Sequence, residues 1–87
     1  MTTSIEMARA AKEMLADLTG LKVDTVSGVV KDDRGWHIEV ELLEMHRIPD
    51  GNDMLATYEM LLSDSGDLLS YERTRRYRRD QTFEREG

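Results

Sequence analysis

The sequence predicts an α+β fold, one N-terminal amphipathic helix packed on a four-stranded antiparallel β-meander. Three observations carry that reading. Apolar residues recur every three or four positions as far as Leu18, the spacing falls to two after Gly20, and turn-forming clusters cut the remainder into four runs.

The helix is expected from Thr3 to Leu18. Met7, Ala8, Ala11, Met14, Leu15 and Leu18 form its apolar stripe, and Arg9, Lys12, Glu13 and Asp17 decorate the other face. Thr3 followed by Glu6 has the spacing of a capping box, and Thr19-Gly20 supplies the stop. Such a helix owes most of its stability to tertiary packing, so its stripe calls for a sheet to cover.

The first strand is expected from Lys22 to Lys31. Asp32-Asp33-Arg34-Gly35 follows as a tight turn whose glycine can take a positive φ, so the first two strands form a hairpin. The second strand runs from Trp36 to Ile48, where Pro49-Asp50-Gly51-Asn52-Asp53 breaks it with four turn formers and a residue that cannot donate to a ladder. The third strand covers Leu55 to Ser63, Asp64-Ser65-Gly66-Asp67 turns the chain again, and the fourth covers Leu68 to Arg79. Residues 1–80 are expected as a single domain and 81–87 as a flexible tail.

Alternation assigns the faces. Trp36, Ile38, Val40 and Leu42 should meet the helix, with Ala56, Tyr58, Met60 and Leu62 beside them. Leu69 and Tyr71 continue the inner set on the fourth strand, and Tyr77 extends that row. The outward face then holds Glu39, Glu41, Glu59, Glu72, Arg76 and Arg78, together with Leu43, Met45 and Leu61.

Charge is unevenly placed along these elements. The total is -6, yet from Tyr71 to Arg79 there are five arginines in nine residues. Before Arg73 the chain holds 15 acidic against 6 basic residues, and from Arg73 onward 6 arginines against 3 acids. Cross-strand pairing of the arginines with Glu39, Glu41, Glu59 and Glu72 is the structural expectation, each pair worth roughly 0.2–1 kcal/mol. An acidic total argues against unaided binding to nucleic acid or to an anionic membrane. No cysteine is present, so neither disulfides nor thiolate metal sites are available. The N-terminus lacks the pattern of a secretory signal and no apolar run reaches the roughly 20 residues of a membrane span, which predicts a cytoplasmic protein.

Catalytic chemistry finds no support in the residue pattern. His37 and His46 are nine residues apart on one predicted strand, which puts them on opposite faces. No nucleophile and base stand in a recognisable arrangement, the acidic turns lack EF-hand spacing, and no glycine-rich phosphate loop occurs. No catalytic, metal or cofactor site is therefore assigned. The candidate partner-binding residues are Arg73, Arg75, Arg76, Arg78, Arg79 and Tyr77, with the apolar Leu43, Met45 and Leu61, because interfaces favour arginine and tyrosine around exposed apolar groups. The alternative use of the same strand is nucleic acid, its arginines meeting phosphates while Tyr71 and Tyr77 stack on bases.

The order of residues adds a resemblance. Gly35-Trp36-His37-Ile38-Glu39-Val40-Glu41-Leu42-Leu43-Glu44, Arg47-Ile48-Pro49-Asp50, Leu55-Ala56-Thr57-Tyr58-Glu59 and Gly66-Asp67-Leu68-Leu69-Ser70-Tyr71-Glu72-Arg73-Thr74-Arg75-Arg76-Tyr77 together resemble the gas vesicle protein O family, GvpO. Leu18-Thr19-Gly20 and Val26-Ser27-Gly28-Val29 are also similar to it, so the likeness covers Ala8 to Arg79. The resemblance implies a non-enzymatic cytoplasmic accessory protein required for gas vesicle assembly, working at nascent vesicles as a chaperone or scaffold. Its implied partners are other gas vesicle proteins, accessory proteins and the major shell protein A among them, with a homodimer left open. The family supplies no catalytic or ligand-binding residues. A nucleic-acid-binding regulator of gas vesicle genes, acting through the fourth strand, is the alternative.

Overall fold

The computed structural model describes residues 3–45 and 53–79. Helix α1 spans Ser4–Thr19 and is followed by β1 (Lys22–Asp32), β2 (Gly35–Met45), β3 (Met54–Leu62) and β4 (Leu68–Arg78). The strands form one antiparallel sheet in the order β1-β2-β3-β4, the meander that the turn signals predict. Each expected strand end that falls on described residues lies within a few residues of the observed one. His46, the extension of the second strand to Ile48, the break at Pro49 and the 81–87 tail lie outside the described residues.

Local chemistry fixes the helix ends. Thr3 Oγ1 accepts the Glu6 N–H at 3.2 Å and Glu6 Oε1 accepts the Thr3 N–H at 3.1 Å, so the capping box is complete. Gly20 closes the other end in the left-handed conformation, φ 73°, and donates to the Ala16 carbonyl. Met7, Ala11 and Leu15 are buried against Ile38, Val40, Leu42, Met60 and Leu62, and this cluster is the core. Leu18, expected in the stripe, is instead 49% exposed, in the last turn of the helix.

Gly35 closes the first hairpin with φ 138°, and a Cβ there would fall on the carbonyl oxygen of Leu62 across the sheet. Both backbone conformation and space demand glycine. At the same turn Asp32 Oδ1 accepts the Arg34 N–H at 2.8 Å, and that bond, with nearby His37, holds the Asp32 carboxyl below the usual range.

Register shifts decide which way the remaining side chains point. β1 carries extra residues at Asp24 and Ser27, β2 at Glu44, and β4 at Leu69 and Thr74. Each such bulge inserts one residue and resets the alternation beyond it. Leu68, not Leu69, therefore packs against the core, and Leu69 is 55% exposed. Beyond Thr74, Arg76 stands opposite Ala56 and Arg78 opposite Met54, on the helix side of the sheet, and Tyr77 stands opposite Leu55 on the far side. The expected faces of Arg76, Arg78 and Tyr77 are thus reversed. Met45 is displaced in the same manner by Glu44 and pairs with Met54.

Candidate interaction surface

On the far side of the sheet, one polar chain crosses all four strands. Glu41 of β2 is buried, and its two oxygens are taken by hydroxyls: Oε2 by Ser27 of β1 at 2.7 Å, Oε1 by Thr57 of β3 at 2.6 Å and by Tyr77 of β4 at 2.7 Å. Arg75 Nε donates in turn to Thr57 Oγ1 at 3.3 Å, and its guanidinium lies 5.7 Å from the centre of the Tyr77 ring. A buried carboxylate needs such donors to replace its lost water. Burial of Tyr77, and then the Glu41 carboxylate against its hydroxyl, push its pKa up to about 12. Through this crossbar β4 is tied to strands as distant as β1.

On the helix side, the bulge at Glu44 turns its carboxylate toward β4, where both Arg73 Nη1 (3.2 Å) and Arg76 Nε (2.7 Å) donate to it. Two guanidiniums share one carboxylate, so one positive charge is left over. Arg79 at the end of β4 donates to Asp53 at 3.2 Å and reaches Asp24 of β1 at 3.0 Å, and the Asp24 bond leads the causes that raise its pKa.

These contacts correct the expected neutralisation. Among the described residues Arg73 and Arg76 pair with Glu44 and Arg79 pairs with Asp24 and Asp53, while no ion pair joins Glu39, Glu59 or Glu72. Those three glutamates instead stand directly opposite one another across β2, β3 and β4, with Ser27 donating to Glu39 at 3.2 Å. Sequence reasoning passed over Glu44, Asp24, Asp53, Ser27 and Thr57. The first two are bulge residues, whose direction alternation cannot give.

The nine candidate residues therefore do not form one patch. Arg73, Arg76 and Arg78 lie on the helix side of β4, Arg75 and Tyr77 on the far side, and Arg79 at its end. Leu43 and Leu61 are on the far side but half-buried, and Met45 is 47% exposed. Tyr71, on the helix side, stacks on Tyr58 with ring centres 6.5 Å apart. His37, on the far side, holds Nε2 at 2.8 Å from Asp32 Oδ2, and with Arg34, Glu59, Leu61, Ser70 and Glu72 it lines an open groove of about 260 Å³. No helix among the described residues is long and apolar enough to cross a membrane.

Comparison with known proteins agrees with the residue order. The family model described as gas vesicle synthesis protein GvpO matches residues 1–82. Gas vesicle protein O of Streptomyces sp. (strain CB03234) is 40% identical over 78 residues, covering 90% of this chain and 61% of that protein. Gas vesicle protein O1 of Halobacterium salinarum is 35% identical over 69 residues, covering 79% of this chain and 58% of that protein. Gas vesicle protein O of Haloferax mediterranei is 35% identical over 77 residues, covering 86% and 51% respectively. The chain thus spans between half and two thirds of the length of these relatives. No solved structure matches it. With the family model spanning every described strand and the helix, this chain belongs to the gas vesicle synthesis protein family GvpO.

Proposed function

We propose that this chain is a non-enzymatic accessory factor for gas vesicle formation, acting in the cytoplasm by binding other gas vesicle proteins. The observation that carries the reading is β4. It is an exposed strand in an acidic protein, and its Arg73 and Arg76 together hold more positive charge than Glu44 offsets. Exposed arginine and tyrosine beside partly exposed apolar groups is the composition interfaces favour, and membership of GvpO supplies the context. The nucleic-acid alternative has less behind it, since Arg73, Arg76 and Arg79 are engaged by the protein's own carboxylates and the net charge is -6.

Complementation tests the reading. In a host whose gas vesicle gene cluster lacks its own O protein, expression of this chain should restore vesicles. The Arg76→Glu, Arg78→Glu double variant, with its fold checked by circular dichroism, should restore fewer and lose at least one pairwise interaction. Restoration at the wild-type level with every interaction retained would sink the proposal. RNA or DNA binding that weakens steeply with salt would favour the alternative.

A further inference from the structure

We propose that β4 is a strand-addition site, and that its occupant is an extended, carboxylate-bearing segment of a partner protein that lengthens the sheet to five strands. The inference rests on the assembly reading above and specifies the chemistry of the partner.

Among the described residues β4 is the last strand of the sheet, and α1 packs over β1, β2 and β3. All its residues from Leu69 to Arg76 are exposed. The backbone of such an edge is a template for another strand. Its orientation follows from the ladder. Arg79 donates its N–H to the Asp53 carbonyl at 2.8 Å, and the register runs unbroken from there through Met54↔Arg78 and Leu55↔Tyr77 to Ala56↔Arg76. Antiparallel residues alternate between facing the partner strand and facing away, so Arg76 turns its N–H and C=O to the open edge.

Charge selects the occupant. Arg73 and Arg76 each keep nearly half of their side chains exposed while sharing the Glu44 carboxylate, so a second carboxylate laid alongside would complete two charge-assisted pairs. Tyr71, on the same side and 41% exposed, offers an apolar contact to a residue farther along the incoming strand. A second copy is the wrong occupant. Antiparallel pairing of the Arg73–Arg78 half with itself would set guanidiniums against guanidiniums, and like charges directly opposite are destabilising. Strand addition of this kind draws affinity from main-chain bonds and specificity from alternate side chains.

Two variants of one residue separate the edge from its charge. Arg76→Ala removes the guanidinium and keeps the outward N–H; Arg76→Pro removes both while leaving the bonds to β3 in place. The chain is titrated against each gas vesicle protein encoded beside it. Arg76→Pro should weaken the best interaction at least about tenfold more than Arg76→Ala does. Equal binding by the two variants would refute strand addition while leaving the assembly reading intact. Hydrogen exchange on the wild-type protein tests the same point without a variant: the Arg76 amide must become protected in the complex, and unchanged exchange there would overturn the proposal. Binding to none of the vesicle proteins would sink the assembly reading. Strand addition is then decided by a synthetic decapeptide alternating threonine and glutamate: at millimolar concentration it should protect the Arg76 amide, and a lysine version should not. Protection by both peptides or by neither overturns the proposal, as does sedimentation of the isolated chain as a dimer that Arg76→Pro dissociates.

Discussion

Burial first, and then the Glu41 carboxylate, whose bond ionisation would break and whose charge would stand beside a second negative one, raise the Tyr77 pKa to about 12. In the unfolded chain the value is about 10. Because the folded value is raised, the stabilisation is fully present below pH of about 10 and disappears as pH rises through about 12. Urea unfolding across this alkaline range should show wild-type stability falling by on the order of 1–2 kcal/mol from this group, allowing for solvent that reaches the ring. Tyr77→Phe should flatten that slope, at a cost near neutral pH of about 1 kcal/mol for the lost hydrogen bond. Glu41→Ala is expected to be harsher, since it strips the acceptor from Ser27, Thr57 and Tyr77 at once; denaturant melts should show a loss of about 2–4 kcal/mol. None of this crossbar was legible in the sequence. The hydroxyls lie 14, 16 and 36 residues from Glu41, and strand register brings them together.

Elements were read more successfully than faces, and the reason is locality. Thr3 and Glu6, Gly20, and the two turns containing Gly35 and Gly66 act within a few residues of themselves, so the order of helix and strands could be read directly. A bulge has no comparable local mark. Nothing in Arg73-Thr74-Arg75 says that Thr74 is the extra residue, and so alternation puts Arg76, Tyr77 and Arg78 on the wrong sides. The same register exposes a conflict within the sheet. Glu39, Glu59 and Glu72 stand opposite one another, and like-charged neighbours on adjacent strands repel. Neutralising the middle one by Glu59→Gln should therefore raise stability, by roughly 0.5 kcal/mol, seen as a higher midpoint at unchanged denaturant dependence. A fall in the midpoint would mean that Glu59 has a favourable role the repulsion does not describe.

As a whole the molecule is a slab of 42 × 34 × 19 Å, thin because one helix covers one face of one sheet. Its core is correspondingly small, and Leu15 is fully buried in it. Leu15→Ala should cost about 2–5 kcal/mol, against a total near 4–13 kcal/mol for a domain of this length at roughly 0.05–0.15 kcal/mol per residue. Chemical unfolding should accordingly find the variant with a large part of its stability gone. The acidic row and the crossbar belong to the face away from the helix, while Arg73, Arg76 and Arg78 lean to the other side of β4. Charge segregation of that kind orients a small protein toward an oppositely charged partner before contact.

The bulge at Thr74 also bears on how related chains should be aligned. Since Thr57 already pairs with Arg75 and Tyr58 with Arg73, dropping Thr74 would let those two pairs close into a regular ladder without turning over any other side chain of β4. Dropping Arg76 would instead set Arg75 opposite Ala56 and carry it to the helix side. Position 74 is thus where a gap between relatives is the conservative event, and a gap placed two residues later would describe a different surface.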